Sequence, residues 1–439
     1  MLTIPITPLD EWTARRVGAG RLTRSALEGW QLDRLREVVG WARERSPFYR
    51  RLYEHLPPGA PQDLRGLWDL PLTQQSDLRD HGADLICVSQ GDIERVVTIP
   101  TSGSTGPPKR VWFTEEDLEL TVDHFRHGMR ALVRPGERVL VLMPGTTPGS
   151  VGALLRAALA RDGVEAEAYG FVDSCAHVAE RVESWGADCL VGVPGQVLRL
   201  ARSREGRAIP PGRLKSVLLS GDHVAGQLRA ALERTWGCRV FEHYGSTETG
   251  LGGAVQCRAF GGLHVREADL LFEAIDPGTG HPIPDGELGE LVVTTLTRRG
   301  MPLIRFRTGD TGRMAAAPCR CGSVLRCLES VEGRLDEAVD IGNGGVLTMG
   351  ELDEAVYAQE WASGFSAAIA GSSDATQLIL RIAAQKAPPT DGLEGLTATI
   401  EAIPSIRSEK VAVILELVDD AEDRPVVMKR KITDARGPH

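Results

Sequence analysis

Apolar residues recur at helical spacing through residues 27–56, LEGWQLDRLREVVGWARERSPFYRRLYEHL, and Pro47 splits that stretch into two helices. Pro57, Pro58, Gly59 and Pro61 then punctuate the chain. From about residue 95 the pattern changes. Short apolar runs RVLVLM (138–143), DCLVGV (188–193), LKSVLLS (214–220) and RVFEHYG (239–245) predict buried strands. Between them, SVGALLRAALARDG (150–163) and AGQLRAALERTWG (225–237) predict helices. Such alternation implies mainly parallel sheets covered on both faces. Residues 270–296 read as strand, turn and strand, with turn chemistry at DPGTG (276–280) and PDGELG (284–289). An antiparallel subdomain over about 252–330 follows. In the last hundred residues, LILRIAA and KVAVILELV predict strands with a helix between them. The fold class is α/β: a large multi-layer N-terminal domain over 1–336, and a small α+β C-terminal domain over 337–439. A chain of 439 residues is too long for one core and fits this division.

Composition adds exclusions. Hydrophobic residues make up 42% and charged residues 25%, ordinary for a globular protein. The net charge of −10 argues against nucleic acid or an anionic membrane as the main partner. No run of about 18 apolar residues predicts a membrane span. The start, MLTIPITPLDEWTARR, lacks the charged and apolar regions of a secretory signal, so the expected location is the cytoplasm. Eight cysteines are too sparse for a disulfide scaffold.

The sharpest local signal is Thr101-Ser102-Gly103-Ser104-Thr105-Gly106-Pro107-Pro108-Lys109. Glycines permit a tight backbone that turns several N–H groups toward one anion, hydroxyls add donors, and Lys109 adds positive charge. The sequence is not a Walker loop, because no Gly-Lys-Ser/Thr ends it. In isolation it reads equally as a flexible surface loop. Three more segments follow in order: His243-Tyr244-Gly245-Ser246-Thr247-Glu248, Arg305-Phe306-Arg307-Thr308-Gly309-Asp310 and Gly333-Arg334-Leu335-Asp336.

This ordered set resembles the core signature of the adenylate-forming superfamily of acyl-CoA synthetases and adenylation domains, in its phenylacetate-CoA ligase-like branch. Ser46-Pro47-Phe48-Tyr49-Arg50, Leu70-Pro71-Leu72-Thr73, Thr294-Thr295-Leu296 and Pro302-Leu303-Ile304-Arg305 extend the resemblance over nearly the whole chain. It implies attack of a carboxylate on the α-phosphate of ATP, giving acyl-AMP and pyrophosphate, with transfer to CoA as the second step. Ser102, Gly103, Ser104, Thr105, Gly106 and Lys109 would hold the β- and γ-phosphates. Tyr244, with Gly245, would stack on adenine, Thr247 would bond the α-phosphate, and Glu248 would help hold Mg²⁺. Asp310 would accept from the ribose hydroxyls and Arg334 would contact phosphates or ribose. Asp336 would be the hinge of a mobile C-terminal lid. The acid pocket would lie among Gly145, Pro194, Gly221 and Asp222, where glycines leave room for a flat aryl or heteroaryl acid.

The tail departs from the pattern. The family's Gly-Lys corresponds to Met428-Lys429 in Val426-Val427-Met428-Lys429-Arg430-Lys431, and a one-residue shift would put Met428 at the lysine position. Lys429 is the catalytic candidate, Lys431 a further one, and a basic tail without a catalytic part the alternative. Cys257, His264, Cys319 and Cys321 offer four ligands suited to a closed, structural Zn²⁺ site, which the resemblance supports. Cys-x-Cys is tighter than the usual finger spacing, so a set of unliganded thiols stays open, with Cys327 nearby on a strand. Two rivals also stay open: adenylation with transfer to an amine, a carrier protein or nothing, and a degenerate nucleotide-binding sensor. The oligomeric state is undetermined, a homodimer included.

Overall fold

The computed structural model describes residues 7–57, 59–99, 108–342, 345–372, 375–419 and 430–436. The chain divides into two compact units. One comprises Met1–Arg134, Thr147–Gly163 and His243–Val331, and the other Pro135–Thr146, Val164–Glu242 and Glu332–His439.

In the first unit a helix over Leu9–Arg16 precedes the predicted helices, Arg24–Arg45 and Pro47–Leu52. Pro47 sits at the first turn of the second, where its missing N–H costs nothing, and it forces Ser46 into extended backbone. Ser46 ends one helix and caps the next, its Oγ accepting from the Tyr49 amide at 3.1 Å. The long helix buries Leu27, Gln31, Leu35, Val38, Val39 and Ala42, and the Gln31 amide donates to the Glu267 carbonyl at 2.9 Å. Tyr49 is fully buried, and its hydroxyl accepts from the Ile304 amide at 2.9 Å. These helices thereby hold the Arg305 to Asp310 segment in register.

This unit also holds the helices Glu115–Met129 and Val151–Ala160 and an antiparallel part, as the turn chemistry after residue 270 predicts. Leu270–Ile275 pairs with Gly289–Thr295, which pairs with Phe306–Met314. Cys327–Arg334 pairs with Leu263–Val265, next to Ala254–Gln256, which pairs with His243 and Tyr244. A separate hairpin joins Arg95–Ile99 to Lys109–Phe113, with Ile99 opposite Lys109. This register holds together the two ends of the Ser/Gly segment. Ser102, Gly103, Ser104, Thr105 and Gly106 themselves lie outside the described residues.

The second unit contains the predicted parallel sheet. Arg138–Leu142 pairs with Glu165–Ala168 and with Cys189–Gly192, which pairs with Ser216–Ser220, all in parallel. Leu140, Val141, Leu190, Val217 and Leu219 are buried, as continuous apolar runs require. The helix Cys175–Trp185 ends at Gly186 in the left-handed region, which suits glycine. The C-terminal part carries a sheet in the order Ala412–Asp419, Ala375–Ala384, Ala362–Ser372, Ile432–Asp434. Its central pair is antiparallel and its outer pairs parallel. Trp236, Val240, Leu352, Tyr357 and Phe365 belong to this unit's core. The helix Met349–Tyr357 is capped reciprocally by Thr348 and Glu351.

Candidate active site

Strand ends position the polar residues of the first unit. Lys109 opens its strand, with its ammonium 3.3 Å from Glu248 Oε1 and 3.1 Å from Gln75 Oε1. Both charged side chains are only 10% exposed. Glu248 stands on a tight turn that follows the strand Arg239–Tyr244. Thr249 and Ser246 cross-bond, the Ser246 amide donating to Thr249 Oγ1 at 2.9 Å and the Thr249 amide to Ser246 Oγ at 3.3 Å. The Leu251 amide closes the turn on the Ser246 carbonyl at 2.8 Å. A Cβ at Gly245 would stand 2.6 Å from the Leu251 carbonyl oxygen, so only glycine lets the turn fold back. Thr247 and Glu248 are presented from this rigid turn.

Tyr244 and Asp310 form a second pair, the phenol donating to Asp310 Oδ2 at 2.7 Å. Burial, reinforced by the neighbouring carboxylate, holds the Tyr244 phenol well above its ordinary value, so it stays a donor. The Asp310 amide in turn donates to Thr308 Oγ1 at 3.0 Å, and Thr308 donates to the Leu291 carbonyl at 2.7 Å. The Tyr244 ring meets Phe272 edge-on with centroids 6.0 Å apart.

The residue before Tyr244 adds a pH dependence. Burial depresses His243 to about 4 and places His124, 6.3 Å away between ring centroids, well below its ordinary value. Both imidazoles are neutral in the fold and gain protons on unfolding below an unfolded value near 6.5. Their contribution is complete above that value and is lost as pH falls toward 4. Thermal melts from pH 7.5 to 5 should show this unit losing on the order of 4 kcal/mol, about 2 for each imidazole. A pH-independent melting temperature over that range would contradict the assignment.

Four other sequence candidates lie in the second unit. Gly145 is buried after the strand Arg138–Leu142, and Pro194 starts the helix Pro194–Arg202. Gly221, at φ 93°, and Asp222 follow the strand Ser216–Ser220. Asp222 accepts from Arg430 Nε at 3.1 Å. A Cβ on Gly195 would lie 3.6 Å from the Tyr357 hydroxyl and 3.9 Å from Arg430 Nε. The Pro194-Gly195 and Gly221-Asp222 loops thus converge on Arg430. Arg334 Nε donates to Asp336 Oδ1 at 3.1 Å, and Asp336 sits in the short 3₁₀ turn Leu335–Glu337 with its side chain 55% exposed. Lys429 lies outside the described residues, and Lys431 is exposed. Sequence reasoning missed Arg430, Asp353 and Tyr357. The alternation of Arg430, Lys431 and Ile432 ahead of a strand was the available signal.

The cysteine cluster is a separate centre of the first unit. The ligand atoms of Cys257, His264, Cys319 and Cys321 all lie within 4.8 Å of one another. Cys257 Sγ and Cys319 Sγ are 3.7 Å apart, and Cys321 Sγ is 3.4 Å from His264 Nε2. Thiolates about 2.3 Å from a tetrahedral zinc would stand about 3.8 Å apart, so the spacing fits. Burial lowers His264, which keeps its imidazole neutral as a ligand must be. Cys327 begins its strand as expected, and its Sγ faces His264 Nδ1 at 3.5 Å.

The Lys109–Glu248 pair, the Thr247-Glu248 turn and the Tyr244–Asp310 pair stand on an α/β scaffold with an antiparallel part, and the protein is an AMP-forming acid ligase, as its relatives show. Residues 74–297 match the family model described as AMP-binding enzyme, and the chain belongs to that family. Its reaction is the ATP-dependent activation of a carboxylic acid as acyl-AMP. The phenylacetate-coenzyme A ligase of Thermus thermophilus is 30% identical over 334 residues, 73% of each chain. That of Pseudomonas putida is 31% identical over 327 residues, 72% of each. The crystal structure of 2-hydroxyisobutyryl-CoA ligase in the postadenylation state with 2-HIB-AMP superposes with a TM-score of 0.79 at 21% identity. That superposition covers 93% of this chain and 89% of the other, and it shows a shared fold. Among the described residues, no helix is long and apolar enough to cross a membrane.

Proposed function

We propose that this enzyme activates an aryl or heteroaryl carboxylic acid with ATP and Mg²⁺ and transfers the acyl group to coenzyme A. The observation that carries the reading is the buried Lys109–Glu248 pair beside the Tyr244–Asp310 pair, within the AMP-binding match. The coenzyme and the aromatic acid are supported by relatives that are phenylacetate-coenzyme A ligases.

In the first step a carboxylate oxygen bonds to the α-phosphorus, and the bond from phosphorus to the bridging oxygen of pyrophosphate breaks. In the second, the sulfur of coenzyme A bonds to the acyl carbon and AMP leaves. Catalysis of this kind is mostly positioning and charge neutralisation. Lys109, with Ser102, Gly103, Ser104, Thr105 and Gly106, binds the leaving phosphates. Thr247 bonds the α-phosphate, Tyr244 and Gly245 form the adenine wall, Asp310 holds the ribose, and Arg334 contacts phosphates or ribose. Magnesium, when bound at Glu248, supplies positive charge to phosphate oxygens. Lys429 is the tail cation. Asp336, exposed in its one-turn 3₁₀ segment, is the hinge of a C-terminal lid over 337–439. Gly145, Pro194, Gly221 and Asp222 line the acid pocket. The scattered thiols and acidic charge suit a cytoplasmic enzyme.

The test is exchange of labelled pyrophosphate into ATP across a panel of aromatic, heteroaromatic and aliphatic acids, followed by thioester formation with coenzyme A. Exchange with aromatic acids and a thioester product are expected. Exchange without a thioester would transfer the reading to another acceptor, and no exchange with any acid would leave a nucleotide-binding protein.

The Cys257, His264, Cys319 and Cys321 cluster is proposed to hold one structural Zn²⁺, pinning the 257–264 and 319–327 segments together. Protein prepared without added zinc should carry about one equivalent. Cys319→Ser should lose the metal and lower the melting temperature by roughly 10 °C or more, because such metal binding is folding energy. Metal-free protein of full thermal stability would sink the site.

A further inference from the structure

The segment that begins at Arg430 is fastened before it enters the sheet. Arg430 makes a bidentate pair with Asp353, at 2.7 and 2.8 Å, and Nη1 also donates to the Tyr357 hydroxyl at 2.8 Å. Its Nε–H goes to Asp222 at 3.1 Å. The guanidinium also lies 5.6 Å from the Tyr357 ring centroid and 5.5 Å from that of Phe365. Asp353 and Tyr357 stand one turn apart on the helix Met349–Tyr357, so they offer their polar atoms on one face. Two residues after Arg430, Ile432 pairs with Ala367 in parallel.

Holding the tail needs only part of this. The bidentate pair with Asp353, whose carboxyl is wholly buried, already satisfies both charges. The bond to Asp222 is additional and reaches a different element, the loop after the strand Ser216–Ser220. The second Asp222 oxygen accepts from the His223 amide at 2.9 Å, so the carboxylate reports the backbone of that loop. Arginine can serve both carboxylates because its five donors are fixed in one plane; a lysine ammonium cannot match that fork.

We infer that Arg430 is a positioning residue of the reaction, tying the tail to the acid-binding loop through Asp222, so that loop conformation and tail placement are one equilibrium. The inference rests on the proposed reading that Gly221 and Asp222 line the acid pocket. When the acid settles its loop, the tail is settled with it, and a tail released from Arg430 loosens the loop in return. Reciprocity of this kind is required of any coupling between two sites.

Two variants that keep the Asp353 side chain test it: Asp222→Asn and Arg430→Lys. Hydrogen exchange of the amides of Ile432, Thr433 and Asp434 is followed in each, without substrates. Both should exchange faster by roughly tenfold, in the lower part of the usual range for coupled sites. In pyrophosphate exchange, Arg430→Lys should raise the KM for the acid by about tenfold while the KM for ATP moves far less. Unchanged tail exchange in Asp222→Asn would overturn the inference. So would an equal rise in both KM values, which indicates a general structural role. Absence of pyrophosphate exchange in the unmodified enzyme would fail the functional proposal alone, since the hydrogen-exchange arm still decides the coupling.

Discussion

Glu248→Ala should lower pyrophosphate exchange by roughly two to three orders of magnitude, the usual loss when one preorganised charge-stabilising group is removed. Glu248 is 8% exposed and stands on a turn constrained at several positions. Ser246 and Thr249 cross-bond, Leu251 adopts φ 64°, and Gly245 excludes any side chain. Strain of this kind is retained where a geometry must be held. Lys109, the ion-pair partner, keeps its bond to Gln75 in the variant but loses its counter-charge, so a lower melting temperature is expected and exchange is compared at a temperature where both proteins are folded. Glu248→Gln is the companion: it retains the shape and a hydrogen-bond acceptor but removes the charge. The two variants should lose exchange similarly if the charge matters. Unmodified activity in Glu248→Ala, measured over a range of Mg²⁺ concentrations, would remove this residue from the mechanism.

Arg305→Ala should destabilise the first unit by about 3–5 kcal/mol, the cost of leaving one member of a buried ion pair alone. Arg305 is 3% exposed and meets both Glu273 oxygens, at 3.1 and 3.2 Å. Its guanidinium also donates to the Trp68 and Leu70 carbonyls at 2.8 Å each. Burial raises the Glu273 carboxyl and Arg305 opposes the rise, so the variant would strand an acid that must take up a proton or distort its surroundings. The backbone adds to the cost of change: Arg305 sits at φ 46°, held by its amide bond to Thr294 Oγ1 at 2.9 Å and by the Thr73 amide on its carbonyl at 2.9 Å. The double variant Arg305→Met with Glu273→Leu should recover much of the loss, because a packed apolar pair of similar volume carries no desolvation penalty. Denaturant unfolding of both variants provides the check. A double variant as unstable as the single one would place the energy in the backbone contacts and not in the ion pair.

The hydrophobic pattern alone made a set of the longer elements legible. The division at Pro47, the buried parallel strands within 138–143, 188–193 and 214–220 and the antiparallel run after residue 270 all depend on local rules. These are ring closure at proline, continuous apolar runs in sheets covered on both sides, and glycine with aspartate at turns. The segments that carry the family resemblance were equally legible, because they are short runs of particular residues at fixed offsets. Short elements were not. The strands Ala254–Gln256 and Leu263–Val265 have three residues each, too few for a period, and exist because neighbouring strands hold them.

Pairings between distant residues were also beyond the sequence. Lys109 and Glu248 are 139 positions apart, Tyr244 and Asp310 are 66, and Arg430 and Asp222 are 208. Nothing in the spacing of Arg430 and Lys431 says which cation is drawn into an ion pair. That choice is made by Asp353 and Tyr357 on one helix face, which offer a planar fork a matching set of acceptors. The cysteines show the same division. Their type announced a soft-ligand centre, while only the fold brought Cys257, His264, Cys319 and Cys321 within 4.8 Å and set Cys327 behind the histidine. Local conformation is decided by each residue and its neighbours, whereas the partner of a buried charge is decided by the chain closing on itself, where an unpaired group is too costly to remain.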